Sequence, residues 1–153
     1  ESMGSYIHAQ SLAEESVEVI GMIALEMIGY FSDEFGSQSY PTPLFHIIYP
    51  NTGNFIAVIG NLDQRSFTKA VKLGMKGSSG LRVFSVNAPE QIPGIDFSDH
   101  RNYWAFGFDA VMVTDTAFYR NTAYHKAEDT WDRLDYARMA DVVRGVYHFA
   151  VAE

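Results

Sequence analysis

The stretch from Asp109 to Thr130, DAVMVTDTAFYRNTAYHKAEDT, decides the fold that the sequence predicts. It opens with an apolar, β-rich run at residues 110–113 and continues into a polar segment. Functional residues are concentrated on loops that a rigid scaffold positions, and a short apolar run bounded by polar residues is typical of a buried strand. The stretch therefore predicts a strand that feeds a site loop.

His125 is the chemical centre of that loop. Neutral imidazole is the commonest side-chain ligand of metal ions, and Asp129 follows closely enough for its carboxylate to fix the orientation of the ring. A lone histidine beside acidic residues is more often a surface or loop residue than a ligand. The histidine by itself therefore leaves both roles open.

Composition limits the classes of function. A chain of 153 residues with 47% hydrophobic content can bury one core, which predicts a single domain. The net charge of -8 argues against a nucleic-acid partner, because such proteins are usually basic. The sequence has no cysteine, so any metal must be bound by histidine and carboxylates. No apolar run approaches the roughly 20 residues that span a bilayer, so no membrane span is expected.

Strand and helix patterns alternate along the chain. Strand patterns cover residues 17–27, 55–59, 81–86 and 110–113, and helix patterns cover residues 4–15, 62–76, 98–106 and the segment after Asp135. Asn61, either Ser98 or Asp99, and Asp135 are predicted to cap the last three helices. The proline-containing residues 30–52 predict a long connection that forms an active-site wall or lid, and residues 77–80 predict a flexible break.

This alternation predicts an α/β domain with three layers, α/β/α, and a mostly parallel central sheet. In such sheets, ligands bind beyond the carboxyl ends of the strands. Glu26 and His125 both follow predicted strand ends. From position alone, Glu26 is either a charged residue that emerges at the edge of the sheet or a site residue.

Seven motifs resemble, in order and spacing, the carboxy-terminal half of the M28 family of zinc metallopeptidases, which contains aminopeptidases and some carboxypeptidases. The motifs are MIALEMIGY at residues 22–30, Ser98-Asp99-His100, Phe106-Gly107, DAVMVTDTAFYRN from Asp109, Tyr124-His125, Asp129-Thr130 and Leu134-Asp135-Tyr136. The resemblance runs over nearly the whole chain but covers only about the second half of a family domain. It implies a phosphorylase/hydrolase-like fold.

The resemblance also implies a role for the two candidate ligands. Glu26 matches an acidic ligand of one zinc ion, and His125 matches the last histidine ligand of the other, in a co-catalytic pair. The remaining ligands, and the glutamate that acts as general base, belong to the first half of the family domain and have no counterpart here. The complete parent domain is thus expected to bind two zinc ions, and this chain to have no catalytic base and to retain no zinc.

The other candidate residues surround these two. Asp99 and His100 resemble a family pair that supports the fold and the loops near the site. Tyr119, Arg120 and Asn121 either line the substrate cleft, binding a terminal group through charge-assisted contacts, or hold their own loop together. Both alternatives stay open at this point.

The sequence therefore predicts a zinc-dependent exopeptidase, an aminopeptidase in the first instance, acting on a peptide substrate. The chain is predicted to be a single partial domain over residues 1–153, truncated at the amino-terminal half and inactive alone. The alternative is a non-catalytic binding or structural module with the same fold. Truncation would expose a sheet edge and predicts self-association. The location of the parent protein, export included, stays open.

Overall fold

The computed structural model describes residues 4–77 and 80–152, so Ser78 and Ser79 of the predicted break at residues 77–80 lie outside the described residues. The strands are β1 (Met22–Leu25), β2 (Phe55–Gly60), β3 (Arg82–Asn87) and β4 (Ala110–Thr114). The α-helices are α1 (Gly4–Glu14), α2 (Phe45–Ile48), α3 (Arg65–Lys76), α4 (His100–Trp104) and α5 (Tyr136–Val151), and two 3-10 helices cover Ala117–Tyr119 and Trp131–Arg133.

The four strands form one sheet in the order β1-β4-β2-β3. β1 is parallel to β4, β2 is parallel to β3, and only the central pair of β4 and β2 is antiparallel. The predicted α/β fold with a mostly parallel sheet is confirmed. Because β1 and β4 are parallel, their carboxyl ends lie at the same edge, where Thr114 of β4 is paired with Ala57 near the start of β2.

Helices cover both faces of the sheet, because alternate side chains of each strand point to opposite sides. On one face, β2 and β4 pack against α3 and α5 through a core that includes Val58, Val71, Val113 and Val142. On the other face, Ala110 of β4 packs against α1 and α4 through Ala9 and Tyr103. A second cluster on that face, around Ala57 and Met112, lies beside the site described below.

β1 is shorter than predicted. The sequence pattern predicted a strand over residues 17–27, whereas pairing begins only at Met22, whose N–H donates to Asp109 O just before β4. Met27 adopts a positive φ of 53°, which is incompatible with an extended strand and ends β1 before it. Glu26 thus follows β1 directly.

The three predicted helix caps have different outcomes. Asp135 caps α5 as predicted, because its side chain accepts a hydrogen bond from Arg138 N–H. The prediction for Asn61 is wrong: Asn61 Oδ1 accepts from Asp63 N–H in a turn, and α3 begins only at Arg65. The prediction for Ser98 or Asp99 is also wrong, because α4 has no capping hydrogen bond and both side chains bond elsewhere.

Two surface features concern the predicted partners. β1 and β3 are the edge strands of the described sheet, and Leu25 on β1 is exposed. Self-association through the sheet stays a prediction. Within the described ranges, no helix is long and apolar enough to cross a membrane.

Candidate functional site

A pocket lies on the sheet face opposite α3 and α5 and extends to the carboxyl end of β1. Its floor is formed by strand residues such as Ala57, Val86 and Met112, and its walls come from the connection before β2 and the loops before α4 and after β4. The cavity between these walls has a volume of about 90 Å³ and opens to solvent. A single water molecule needs only about 10–15 Å³ on this measure, so the site has room for a group the size of one side chain.

One end of the pocket is closed by an aromatic cluster, which consists of Tyr40, Phe45, Tyr49, Phe55 and Phe84. Neighbouring rings in the cluster have centroid separations of 5.2–6.1 Å, mostly in edge-to-face arrangements. This is the geometry that aromatic pairs prefer, because the ring edge is electropositive and the face electronegative. The part of the connection between residues 38 and 49 therefore forms a pocket wall. That this is the predicted active-site wall stays a prediction.

At the other end of the pocket, Glu26 is a lining residue, whereas His125 is linked to the pocket through Tyr124. Glu26 lines the pocket, and Ser98 Oγ donates to its Oε2 atom at 3.2 Å. Tyr124 also lines the pocket, and its ring stacks on the exposed imidazole of His125 at 3.9 Å between centroids. Phe118 contacts Tyr124 from within the pocket, with a centroid separation of 5.7 Å. His125 has a positive φ of 59°, a conformation uncommon outside glycine.

Asp115 joins the two loops at this edge of the sheet. Its side chain is fully buried; Oδ2 accepts from Tyr30 N–H at 2.7 Å, and Oδ1 accepts from Ala117 N–H at 2.9 Å. Burial raises the pKa of Asp115 to about 6, although these hydrogen bonds and nearby Arg120 oppose the change. The segments after β1 and after β4 are thereby fixed to each other.

Arg120 is buried behind the pocket wall. Its Nε donates to Gln38 Oε1 at 2.9 Å, and its Nη1 donates to Tyr30 O at 3.1 Å. The guanidinium lies 4.7 Å from the ring centroid of Phe55, a cation-π contact. Burial lowers the pKa of Arg120 to about 10, and Asp115 opposes this change. Arg120 therefore holds Gln38, a pocket-lining residue, from behind.

Asn121 fixes the loop that carries His125. Its amide Nδ2 donates to Asp129 Oδ1 at 2.8 Å, while its Oδ1 accepts from Ala123 N–H and from Arg133 Nη1, each at 3.0 Å. The side chain of Asn121 is fully buried. Asp129 is thus placed by Asn121, on the same loop as His125.

The three remaining candidates lie around the pocket. Tyr119 lines it and donates its hydroxyl to Pro93 O at 3.2 Å. Asp99 accepts from Ser5 Oγ at 2.6 Å and so connects α4 to α1. His100 is buried, where Nε2 donates to Ile95 O at 2.8 Å, and burial lowers its pKa. Tyr119 therefore faces the cavity, whereas Asp99 and His100 hold helices and loops together.

The described residues do not by themselves fit a zinc centre. Zinc sites in proteins use three or four protein ligands. Within residues 4–77 and 80–152, no group of three or more histidine, aspartate or glutamate side chains is placed to hold a metal ion. Glu26, which lines the pocket, and His125, which stacks on Tyr124, have no such group around them.

The sequence pointed to Glu26, but not to the aromatic cluster or to Gln38. A possible signal was the density of aromatic residues in the predicted connection, where Tyr40, Phe45 and Tyr49 occur close together. Such residues in a solvated loop would be unusual, since they are more often buried. Gln38 carried no signal, because its role depends on Arg120.

The chain resembles proteins with a longer sequence. No family model matches the sequence. It is 52% identical over 146 residues to the uncharacterised protein YfbL of Escherichia coli, a match that covers 95% of this chain and 44% of YfbL. The chain thus spans less than half the length of this curated relative.

Solved structures share its fold. The LapA aminopeptidase of Legionella pneumophila matches with a TM-score of 0.67 and 18% identity, over 97% of this chain and 35% of LapA. LapB of the same organism matches with a TM-score of 0.69 and 18% identity, over the same shares. An aminopeptidase from Aneurinibacillus matches with a TM-score of 0.59 and 23% identity, over 97% of this chain and 29% of that protein. The chain therefore has an aminopeptidase-like α/β fold.

Proposed function

We propose that this chain is part of a zinc-dependent exopeptidase of the M28 type, most simply an aminopeptidase, that hydrolyses terminal peptide bonds. The observation that carries the proposal is the position of Glu26, which follows β1 directly and lines the same pocket as Tyr124, whose ring is stacked on His125. Parallel strands place ligand sites at their carboxyl ends, and the fold is shared with the LapA aminopeptidase.

In this proposal, the complete protein binds two zinc ions, and Glu26 and His125 each provide one ligand to a different ion. Carboxylate oxygen and imidazole nitrogen are both suitable zinc ligands. Asp129, held by Asn121, would fix the orientation of the imidazole of His125. Tyr119 would contact the substrate, and Arg120 would keep the pocket wall in place.

We also propose that the remaining ligands and the catalytic base come from a region corresponding to the part of YfbL outside the match, which is more than half of that protein. The 153-residue chain alone would then bind little zinc and hydrolyse no peptide bond. Because β1 is an edge strand of the described sheet, paired only with β4, the chain would also self-associate through the sheet. A monomer in sedimentation at micromolar concentration would contradict the last point.

A chimaera tests the proposal directly. The part of YfbL outside the matched 146 residues is joined to this chain, and zinc content and hydrolysis of aminoacyl and peptidyl substrates are measured after dialysis against trace zinc. The expected result is about two zinc ions per chain with turnover, and neither for this chain alone. Glu26→Ala and His125→Ala should each lower the zinc content and the rate of hydrolysis. Asp63 is an exposed acidic residue, and Asp63→Ala serves as the control that should change neither.

The alternative is a non-catalytic module that binds an apolar ligand. The mostly apolar lining of the pocket favours it. A folded chimaera that binds no zinc and hydrolyses no substrate would contradict the exopeptidase proposal and leave this alternative. Zinc binding with turnover by the 153-residue chain alone would instead contradict the partial-domain proposal.

A further inference from the structure

We infer that the pocket selects a large apolar side chain, preferably aromatic, and that the aromatic cluster sets the size it accepts. The inference rests on the proposed function in one respect: the side chain belongs to the terminal residue of a peptide. It concerns residues that the metal chemistry does not use. Its basis is the chemical character of the pocket surface, which is almost entirely carbon.

Three of the tyrosines that line the pocket are already hydrogen-bonded within the protein. The hydroxyl of Tyr40 donates to Pro50 O at 2.6 Å, and that of Tyr49 donates to Ser85 O at 2.8 Å. The hydroxyl of Tyr119 donates to Pro93 O at 3.2 Å. Each of these tyrosines therefore presents its ring to the pocket and directs its hydroxyl proton to the main chain.

The amide of Gln38 is engaged in the same way. Its Nε2 donates to Ser39 O at 2.9 Å and to Thr116 Oγ1 at 2.8 Å, while its Oε1 accepts from Arg120 Nε. Both donors of the amide group are thus used. A charged or strongly polar side chain that entered the pocket would lose its hydration without gaining equivalent hydrogen bonds, which is unfavourable.

Charge lies only at one end of the pocket. Glu26 is the only charged residue among those that line it, and it lies at the end beside Tyr124, away from the aromatic cluster. A cationic side chain would be attracted by the net charge of -8, yet it would find no carboxylate at the aromatic end. Lysine is therefore the stringent comparison: general electrostatics favours it, whereas the pocket surface disfavours it.

Binding of amino acid amides to the 153-residue protein tests the inference without zinc or turnover. Resonances of ¹⁵N-labelled protein are followed while L-phenylalaninamide, L-leucinamide, L-alaninamide or L-lysinamide is added. L-Phenylalaninamide should bind at least about tenfold more tightly than L-alaninamide and L-lysinamide, since a single methylene in an apolar pocket already gives about 10-fold or more. The largest shifts should come from residues that line the pocket.

Two variants locate the binding. Val86→Trp fills the floor of the pocket from β3, where aromatic residues are compatible with a strand, and should weaken L-phenylalaninamide binding at least about tenfold. Val143→Trp makes the same change on the exposed face of α5 and should leave the affinity unchanged. Phe45→Ala removes one ring of the cluster and should raise the affinity for L-naphthylalaninamide relative to L-phenylalaninamide, a gain that misfolding cannot produce.

The inference and the proposed function can fail separately. Equal or tighter binding of L-lysinamide, unchanged binding in Val86→Trp, or no binding of any amide would overturn the inference. A chimaera that hydrolyses lysyl substrates faster than phenylalanyl substrates would also overturn it, while the exopeptidase proposal would stand. Selective binding of L-phenylalaninamide together with an inactive, zinc-free chimaera would support the inferred selectivity of the pocket and contradict the exopeptidase proposal.

Discussion

Replacing Arg120 with alanine should cost about 3–5 kcal/mol of folding free energy. The change leaves Gln38 Oε1 and Tyr30 O without their donors, and each unsatisfied buried acceptor costs about 1–3 kcal/mol. It also removes a buried cation-π contact with Phe55, worth up to about 2 kcal/mol. Release of a buried charge offsets part of this loss, which is why the expected total is below the sum of the upper values.

The measurement is urea unfolding at 25 °C, followed by circular dichroism, with folding of each variant checked first. Arg101→Ala is the matched control: its side chain is 55% exposed and forms a 3.4 Å surface ion pair with Asp96, so its loss should cost less than about 1 kcal/mol. Arg120→Lys keeps the charge but cannot donate two hydrogen bonds in the same geometry. It should lie between the wild-type protein and Arg120→Ala.

A double-mutant cycle isolates the contact between Arg120 and Gln38. If Nε of Arg120 holds Gln38 in place, Gln38→Ala should be less costly in the Arg120→Ala background, with a coupling of about 1 kcal/mol or more. A loss in Arg120→Ala no larger than that in Arg101→Ala, or a coupling near zero, would refute the role assigned to Arg120.

Two further predictions concern other single residues. Asp135→Ala should lower the unfolding free energy by about 1 kcal/mol, because it removes the side-chain cap of α5, whereas Asp132→Ala, outside any cap, should not. For Asp115, the pKa of about 6 in the folded protein against 3.8 otherwise means that the folded state favours the protonated form. Burial of this group therefore contributes fully to the unfolding free energy below about pH 4, and the contribution is lost as the pH rises through 6. The loss is about 3 kcal/mol, because one pKa unit corresponds to about 1.4 kcal/mol. Asparagine does not titrate, so the unfolding free energy of Asp115→Asn, relative to that of the wild-type protein, should rise by this amount between pH 3.5 and 7. Parallel dependences of the two unfolding free energies on pH would contradict this.

The sheet was predictable because its central strands are buried on both faces. Apolar runs at β2 and β4 have no alternative to burial in a chain of this size, and the pattern identified both. The start of β1 was not predictable from the same signal. Val17 and Ile20 are apolar but exposed, and only the position of β4, which pairs from Ala110 onwards, decides where β1 begins.

The site was predictable only where a residue follows a strand. Glu26, which lines the pocket, could be selected because it follows a strand and because carboxylates bind metals. The metal-binding roles of Glu26 and His125 stay predictions. The aromatic cluster could not be selected this way, since Tyr49 meets Phe84 only when the connection folds over the face of the sheet. The burial of the Arg120 side chain could not be predicted from the sequence either. A charged residue in a polar loop usually faces solvent, and its burial depends on partners far away in sequence.

These long-range contacts make the pocket and the candidate ligands parts of one structure. Asp115 ties the segment after β1 to the segment after β4, and Arg120 ties the second of these to Gln38 in the pocket wall. The segment after β4 also leads, through buried Asn121, to the loop that carries His125. A substitution that loosens the pocket wall from behind should therefore disturb His125 as well, without touching it. The loop that carries His125 and the wall that carries the aromatic cluster consequently share their structural support.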